Sequence, residues 1–114
     1  MRKRLRALGI NKSFAFTGCV HAIKDDSSEP RRIMVKDLRY KGVLIEHHVW
    51  LHIGESYRSL DIRVGDFLRF KSRIIFYLRR KLIQRYYAAW EYGLDTPTRI
   101  EKLTIDDYKK TIKK

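Results

Sequence analysis

Cysteine is almost absent from this chain of 114 residues, which contains only Cys19. One thiol cannot form an intramolecular disulfide, and it cannot build a zinc site from several cysteines. Such cysteine usage fits the reducing cytoplasm. The length suits one domain with a single hydrophobic core, made by a few strands.

Long hydrophobic runs are absent as well. The N-terminus is basic over residues 1–6, but no apolar segment of useful length follows it, as one would in an export signal. The longest apolar runs fall far short of the ~20 residues of a membrane span. A membrane-surface binder would need a longer amphipathic basic helix than residues 104–114 provide. We therefore expect a cytoplasmic protein without a membrane partner.

Acidic residues are scarce: 13 Asp and Glu stand against 26 Lys and Arg, which gives a net charge of +13. An excess of this size attracts polyanions, because binding releases their counterions. The charge is uneven, since residues 58–85 hold nine basic and two acidic residues while residues 42–57 hold no Lys or Arg. Nucleic acid is the leading partner class, although an acidic protein surface would satisfy the charge equally well.

Motifs of catalysis are absent too. The sequence has no Gly-rich phosphate loop and no recognisable nucleophile motif. The acids at 25–26 and 106–107 fall in a loop and at a helix start, where solvation and capping explain them. His48 and His52 share a strand face but lie about 13 Å apart, which is too far for one zinc ion. We expect a protein that is not an enzyme and that holds no metal or other cofactor.

The segment Phe67–Arg79 carries the clearest pattern, because its residues alternate in character with the period of a β-strand. One predicted face is suited to the core and consists of Leu68, Phe70, Ser72, Ile74, Phe76 and Leu78. The other face mixes cations with aromatic and aliphatic side chains: Phe67, Arg69, Lys71, Arg73, Ile75, Tyr77 and Arg79. Cations about 6–7 Å apart on a strand suit phosphates, and a ring beside them can stack on an unpaired base. A solvated basic face is the structural alternative.

The remaining pattern predicts a mostly β domain over residues 13–103. Residues 1–12 precede it as a basic arm or a single helical turn, and Thr104 caps a short amphipathic helix or tail over 104–114. Residues 79–91 form a basic connector with a helical tendency, because Leu82, Tyr86 and Ala89 or Trp90 have helical spacing, although Tyr86 and Tyr87 would also suit a strand. Strands are predicted at 14–23 with a bend at Gly18, at 33–38 and 43–53 around a hairpin turn, at 67–79, and in a final strand region formed by 90–94 and 98–103.

Five strands at this spacing match the OB-fold, a small five-stranded barrel. The run Leu60–Ile74, with a Gly65-Asp66 turn and the small Ser72, resembles the segment before and within a central OB strand. Together with the segments 48–50 and 92–100, it is similar to small uncharacterised OB-fold proteins of bacteria, phages and plasmids, of the type that binds single-stranded nucleic acid. This resemblance over residues 13–103 implies nucleic-acid or protein binding, and no defined reaction.

These observations lead to the hypothesis of a non-catalytic protein that holds single-stranded DNA or RNA on its basic face with little sequence specificity. The predicted contact residues are Arg69, Lys71, Arg73, Tyr77, Arg79, Arg80, Lys81, Arg85, Tyr86 and Trp50. For Trp50 the pattern fits a stacking platform and a position under the C-terminal helix equally well. The alternative function is a basic interaction module that docks on an acidic protein or a nucleoprotein, such as an anti-CRISPR-like inhibitor encoded by a phage or plasmid. The oligomeric state stays open.

Overall fold

The computed structural model describes the backbone of residues 3–25, 31–81 and 87–112, and the side chains of those residues apart from 55, 77–81 and 87–91. It confirms a mostly β chain with a short helix near each end. The elements in chain order are α1 (Lys3–Leu8), β1 (Ser13–Lys24), β2 (Arg32–Tyr40), β3 (Val43–His52), a 3₁₀ helix (Glu55–Leu60), β4 (Phe67–Lys81), β5 (Tyr87–Leu94), β6 (Thr98–Leu103) and α2 (Ile105–Thr111).

The strands form one curled antiparallel sheet in the order β3-β2-β1-β4-β5, and β6 also pairs with β4. The result is a half-barrel consistent with an OB-like fold. β5 pairs with the C-terminal part of β4, from Ile74 onward, whereas β6 pairs with the N-terminal part, which begins at Phe67. The predicted final strand region is therefore two strands that share one partner, separated by the short segment 95–97.

The β2–β3 hairpin forms where the sequence predicts it. Tyr40 pairs with Val43, so that Lys41 and Gly42 alone make the turn. Both turn residues have positive φ, 50° and 82°, which is the requirement of the two-residue turn that best matches strand twist.

The predicted helical tendency of the connector 79–91 is wrong for its described parts. Residues 79–81 continue β4, and residues 87–91 belong to β5. Lys81 pairs with Tyr87 and Arg79 with Ala89. This pairing satisfies the backbone hydrogen bonds of both segments, and it outweighs a local spacing that favours a helix only weakly.

The core lies inside the curl of the sheet. Its fully buried side chains come from α1, from β1 to β4 and from the loop before β4, and they include Leu5, Phe16, Val20, Ile33, Val35, Leu38, Val49, Leu51, Ile62, Leu68, Phe70 and Ile74. The bend predicted at Gly18 is confirmed, because the β1–β2 register shifts between Thr17 and Cys19. A Cβ atom at Gly18 would lie 2.1 Å from Cγ1 of Val35, so only glycine fits this close approach.

The predicted inner face of β4 is confirmed from Leu68 to Ile74 and is wrong at Phe76. Leu68, Phe70, Ser72 and Ile74 are all buried, and the Ser72 hydroxyl donates to the carbonyl oxygen of Asp95 at 2.7 Å. Phe76 remains 39% exposed. The reason is its position: the register of β4 with β1 ends at Arg73, and beyond Ile74 the strand continues as a hairpin with β5.

Both terminal segments pack against the sheet. α1 ends at Leu8 and is followed by Gly9 and Asn11, which have positive φ of 114° and 66°. Its residue Leu5 is fully buried. In α2 the Thr104 hydroxyl accepts the predicted capping hydrogen bond from the Asp107 N–H at 3.1 Å. Within the described ranges, neither of these helices nor any other has the length and apolar composition needed to cross a membrane.

Candidate functional site

The outer face of β4 presents cations, as the alternation predicts. Arg69, Lys71 and Arg73 are all exposed. The register with β1 places Thr17 beside Arg69 and Ala15 beside Lys71. Since directly paired residues of antiparallel strands lie on the same face, small side chains of β1 border the cations. The long cationic side chains therefore stand above a shallow floor.

Two of these three cations already have acidic partners. Arg69 Nε forms an ion pair with Glu101 Oε1 of β6, and Arg73 Nη2 lies 2.8 Å from Asp95 Oδ2. The pKa of Asp95 is lowered, first by a hydrogen bond from the Thr96 N–H and then by Arg73. The positive charge predicted for this strand is therefore partly neutralised.

The third cation, Lys71, lies on a groove of about 590 Å³ that opens on the outer side of β1. The floor of this groove includes small side chains of β1, and its rim is basic. The rim cations are Arg39 and Lys41 from the β2–β3 hairpin, Arg69 and Lys71 from β4, and Lys110 from α2. We call this site the cationic groove. No acidic side chain lines it within the described part of the chain.

Most of the charge in the cationic groove has no counter-charge among the described side chains. Among the described residues, no carboxylate lies within ion-pair distance of Lys41, Lys71 or Lys110. Like charges that converge without acidic partners repel one another and produce a positive potential that an anion would relieve. The charge and the concave shape of the groove therefore suit an anionic ligand.

Arg39 is the most firmly held cation of the groove. Its Nη1 donates to the carbonyl oxygen of Gly42 at 3.2 Å, and its guanidinium is also hydrogen-bonded to the Tyr108 hydroxyl. Burial raises the pKa of Tyr108, and the Arg39 hydrogen bond acts in the opposite direction. Tyr108 itself packs on Phe67, with ring centroids 4.4 Å apart. Arg39 therefore connects α2 to the β2 end of the groove.

Two aromatic residues contribute to one end of the groove, although their rings pack against the core. Phe14 and Tyr40 line it and pack edge to face, with ring centroids 5.2 Å apart. The Lys41 ammonium lies 5.4 Å from the Tyr40 ring centroid. Because Tyr40 pairs with Phe16, whose side chain is fully buried, the Tyr40 ring lies on the core side of the sheet, opposite the face of Arg69 and Lys71.

Trp50 lies in a separate cluster on β3. Lys24 Nζ lies 5.2 Å from its ring centroid and Arg32 Cζ lies 5.9 Å from it, both at cation–π range. The C-terminal helix places its buried residue Tyr108 on Phe67 of β4. The structure therefore places the C-terminal helix on β4 and a pair of cations at the Trp50 ring.

The other predicted contact residues extend along the β4–β5 hairpin. The backbone of residues 77–81 belongs to β4, but the side chains of Tyr77, Arg79, Arg80 and Lys81 lie outside the described part of the structure. Arg85 and Tyr86 lie outside the described residues altogether. The predicted roles of these six residues stay predictions.

Sequence analysis missed three cations of the groove, Arg39, Lys41 and Lys110. Each is separated from β4 in the chain and belongs to no periodic pattern of its own. A weak signal existed at Lys41, because the predicted hairpin turn places that residue at the end of β2. Arg39 and Lys110 come together only through the packing of α2 on the sheet, which no local pattern reports.

Comparison with known proteins adds no assignment to these geometric observations. Neither the family models nor the curated proteins give a match to this chain. A fold of this kind hosts many functions, so that the function has to be argued from the chemistry of the site.

Proposed function

We propose that this protein binds single-stranded nucleic acid and holds its phosphates in the cationic groove. The observation that carries the proposal is the convergence of Arg39, Lys41, Lys71 and Lys110 on one groove whose described lining contains no acid. Phosphate backbones supply the matching negative charge at regular spacing, and their binding gains free energy from counterion release.

The dimensions of the groove support a strand rather than a small ion. A volume of about 590 Å³ is that of a ligand site, and the groove is open along the sheet surface. Arg69 and Lys71 follow each other on the same strand face, about 6–7 Å apart, as do Lys71 and Arg73. A line of cations at this spacing can follow an extended backbone past the edge of the groove.

The chemistry favours binding with little sequence preference. Lysine and arginine contacts to phosphates position a nucleic acid without reading its bases. We expect DNA and RNA strands of unrelated sequence to bind with similar affinity.

The two ion-paired arginines, Arg69 and Arg73, can also contact phosphates. Arg69 and Glu101 are each about half exposed, and so are Arg73 and Asp95. Exposed pairs of this kind contribute roughly 0–1 kcal/mol to stability, so a phosphate competes easily for the arginine. Binding can therefore extend along β4 by partner exchange, without a change of fold.

The test is a fluorescence anisotropy titration with short unstructured oligonucleotides, such as oligo-dT and oligo-U of 12 nucleotides, at several salt concentrations. We expect tight binding at low salt that weakens as salt rises, with similar curves for unrelated sequences. The absence of binding to either strand at low salt would contradict the proposal. If the protein instead bound an acidic protein or a nucleoprotein through the same groove, the docking-module alternative would replace it.

A further inference from the structure

One buried hydroxyl on the floor of the cationic groove forms no hydrogen bond with the described part of the chain. Thr17 is only 9% exposed and lines the groove. No hydrogen-bond partner for its Oγ1 exists among the described residues. A buried hydroxyl of this kind is costly unless something bonds to it, and native proteins rarely leave one unpaired.

A second unpartnered group lies directly across from it. Arg39 is the β2 residue paired with Thr17, and its buried Nε also has no hydrogen-bond partner within the described part of the chain. The rest of its guanidinium is engaged with Gly42 and Tyr108, which fixes the position of the free N–H. The two residues that carry these groups are directly paired on neighbouring strands, whose backbones are about 5 Å apart, and they lie on one face of the sheet.

The cations around Thr17 and Arg39 favour a negatively charged ligand for these two groups. Thr17 has Arg39 on one side and Arg69 on the other, since β1 lies between β2 and β4. Lys71 and Lys110 line the same groove. A bridging water would satisfy the two polar atoms but would supply no negative charge to Arg39, Lys71 and Lys110. A tetrahedral oxyanion satisfies both, because one oxygen can bond to Thr17 and Arg39 while the others face the lysines.

We propose that Thr17 and Arg39 form a seat for one phosphate group at the floor of the cationic groove. The inference deepens the proposed function and rests on it, because it assigns the deepest contact of the bound strand. The same chemistry fits an internal phosphodiester, a terminal phosphate monoester and free pyrophosphate. A monoester carries about −1.5 to −2 charges against −1 for a diester, so the rim cations favour a strand end.

The informative variant is Thr17→Val, which removes the hydroxyl and preserves the side-chain shape. Replacing an unpaired buried hydroxyl by a methyl group leaves the fold unchanged or more stable, so its melting temperature should equal or exceed that of the wild type. Its affinity for the oligonucleotide should fall by roughly 10- to 100-fold, the effect of one hydrogen bond to a charged group. A hydroxyl with a structural role would give the opposite result, a lower melting temperature.

A second variant covers the possibility that Thr17→Val does not fold. Arg39→Lys keeps the charge and removes the Nε donor, so we expect weaker oligonucleotide binding with an unchanged salt dependence. Lys110→Ala and Lys109→Ala form a matched pair on one helix, because only Lys110 lines the groove. The first should weaken binding and the second should not.

The experiment compares three probes on the wild-type protein and on each variant: a 12-nucleotide strand with a 5′-hydroxyl, the same strand with a 5′-phosphate, and pyrophosphate as competitor. A preference for the 5′-phosphate that Thr17→Val abolishes supports a seat for strand ends. Equal loss with both strands supports a seat for an internal phosphate. Strand binding that neither Thr17→Val nor Arg39→Lys alters overturns the seat and leaves the proposed function intact. If neither strand binds the wild type, the proposed function fails, and calorimetry with pyrophosphate tests the phosphate seat separately. Pyrophosphate binding that Thr17→Val removes supports the seat. No pyrophosphate binding, or binding that Thr17→Val leaves unchanged, overturns the seat.

Discussion

The two halves of β4 follow the same alternation of residues and have different surroundings. The barrel half, residues 67–74, lies beside β1 on one edge and β6 on the other, and its inner residue Phe70 is 1% exposed. The hairpin half, residues 75–81, pairs with β5, and its inner residue Phe76 is 39% exposed. Alternation therefore tells which residues share a face, while burial depends on what covers that face.

The outer faces of the two halves differ in the same way. On the barrel half, β1 supplies a floor and α2 supplies a wall, so that Lys71 and Lys110 meet across a groove. Beyond Ile74 the register with β1 has ended. A run of basic residues on a strand therefore forms a concave site only if other elements of the fold pack beside that strand.

The largest difference between the halves should appear in stability. Phe70→Ala removes a fully packed ring and should cost about 3–5 kcal/mol, which is most of the stability of a domain this size. Phe76→Ala removes a ring that packs on Tyr92 at a centroid distance of 4.7 Å but is partly in water, so we expect about 1–2 kcal/mol. Denaturant unfolding measures both. Equal losses would mean that the hairpin half belongs to the core after all.

The next effect concerns binding to the barrel half. Each phosphate contact adds about 0.7 to the salt slope of a single strand, which corresponds to roughly a 5-fold gain in affinity at 0.1 M salt. Lys71→Ala combined with Lys110→Ala should therefore weaken oligonucleotide binding by about 25-fold. Anisotropy titration measures this loss. A loss of the same size from Arg79→Ala with Arg80→Ala, and none from the lysines, would move the binding surface to the hairpin half.

Sequence analysis was most successful where structure is decided locally. The alternation of residues 67–74, the turn at Lys41 and Gly42, the bulge at Gly18 and the cap at Thr104 all depend on neighbours in the chain. Each has a backbone or side-chain requirement that few residue types meet, so the residue type reports the structure.

Long-range pairing explains what sequence analysis could not predict. The ion pair of Arg69 with Glu101 joins residues 32 positions apart and exists only in the register of β4 with β6. The groove needs Arg39 and Lys110, which the position of α2 brings together. The exposure of Phe76 follows from where β1 begins, at Ser13 opposite Arg73. None of these features has a periodic signature.

A smaller effect should follow from releasing an arginine of the barrel half. Glu101→Gln removes the acidic partner of Arg69 at the edge of the groove. We expect the affinity for a single strand to rise by up to about 5-fold, the contribution of one added phosphate contact. Stability should change by at most about 1 kcal/mol, because the pair is exposed. Weaker binding in this variant would show that Glu101 holds Arg69 in its productive position.

The smallest effect concerns pH. The pKa of Asp95 is lowered by the Thr96 N–H and by Arg73, so ionised Asp95 stabilises the folded state above its unfolded pKa of about 3.9. This contribution is lost as pH falls from that value through the lower folded pKa. Asp95→Asn should therefore be less stable at neutral pH and should lose less stability below about pH 4. Thermal melts at a series of pH values check this, and parallel curves for the two proteins would contradict it.

The salt dependence of oligonucleotide binding tests the central claim most directly. If the cationic groove holds about four phosphates, a plot of log affinity against log salt should have a slope near −3 for the wild type, and near −1.5 when Lys71 and Lys110 are both changed to Ala. The wild-type measurement reports that phosphates are bound, and the difference between the slopes reports that these two lysines bind them. No binding at low salt, or equal slopes for the two proteins, would contradict the account.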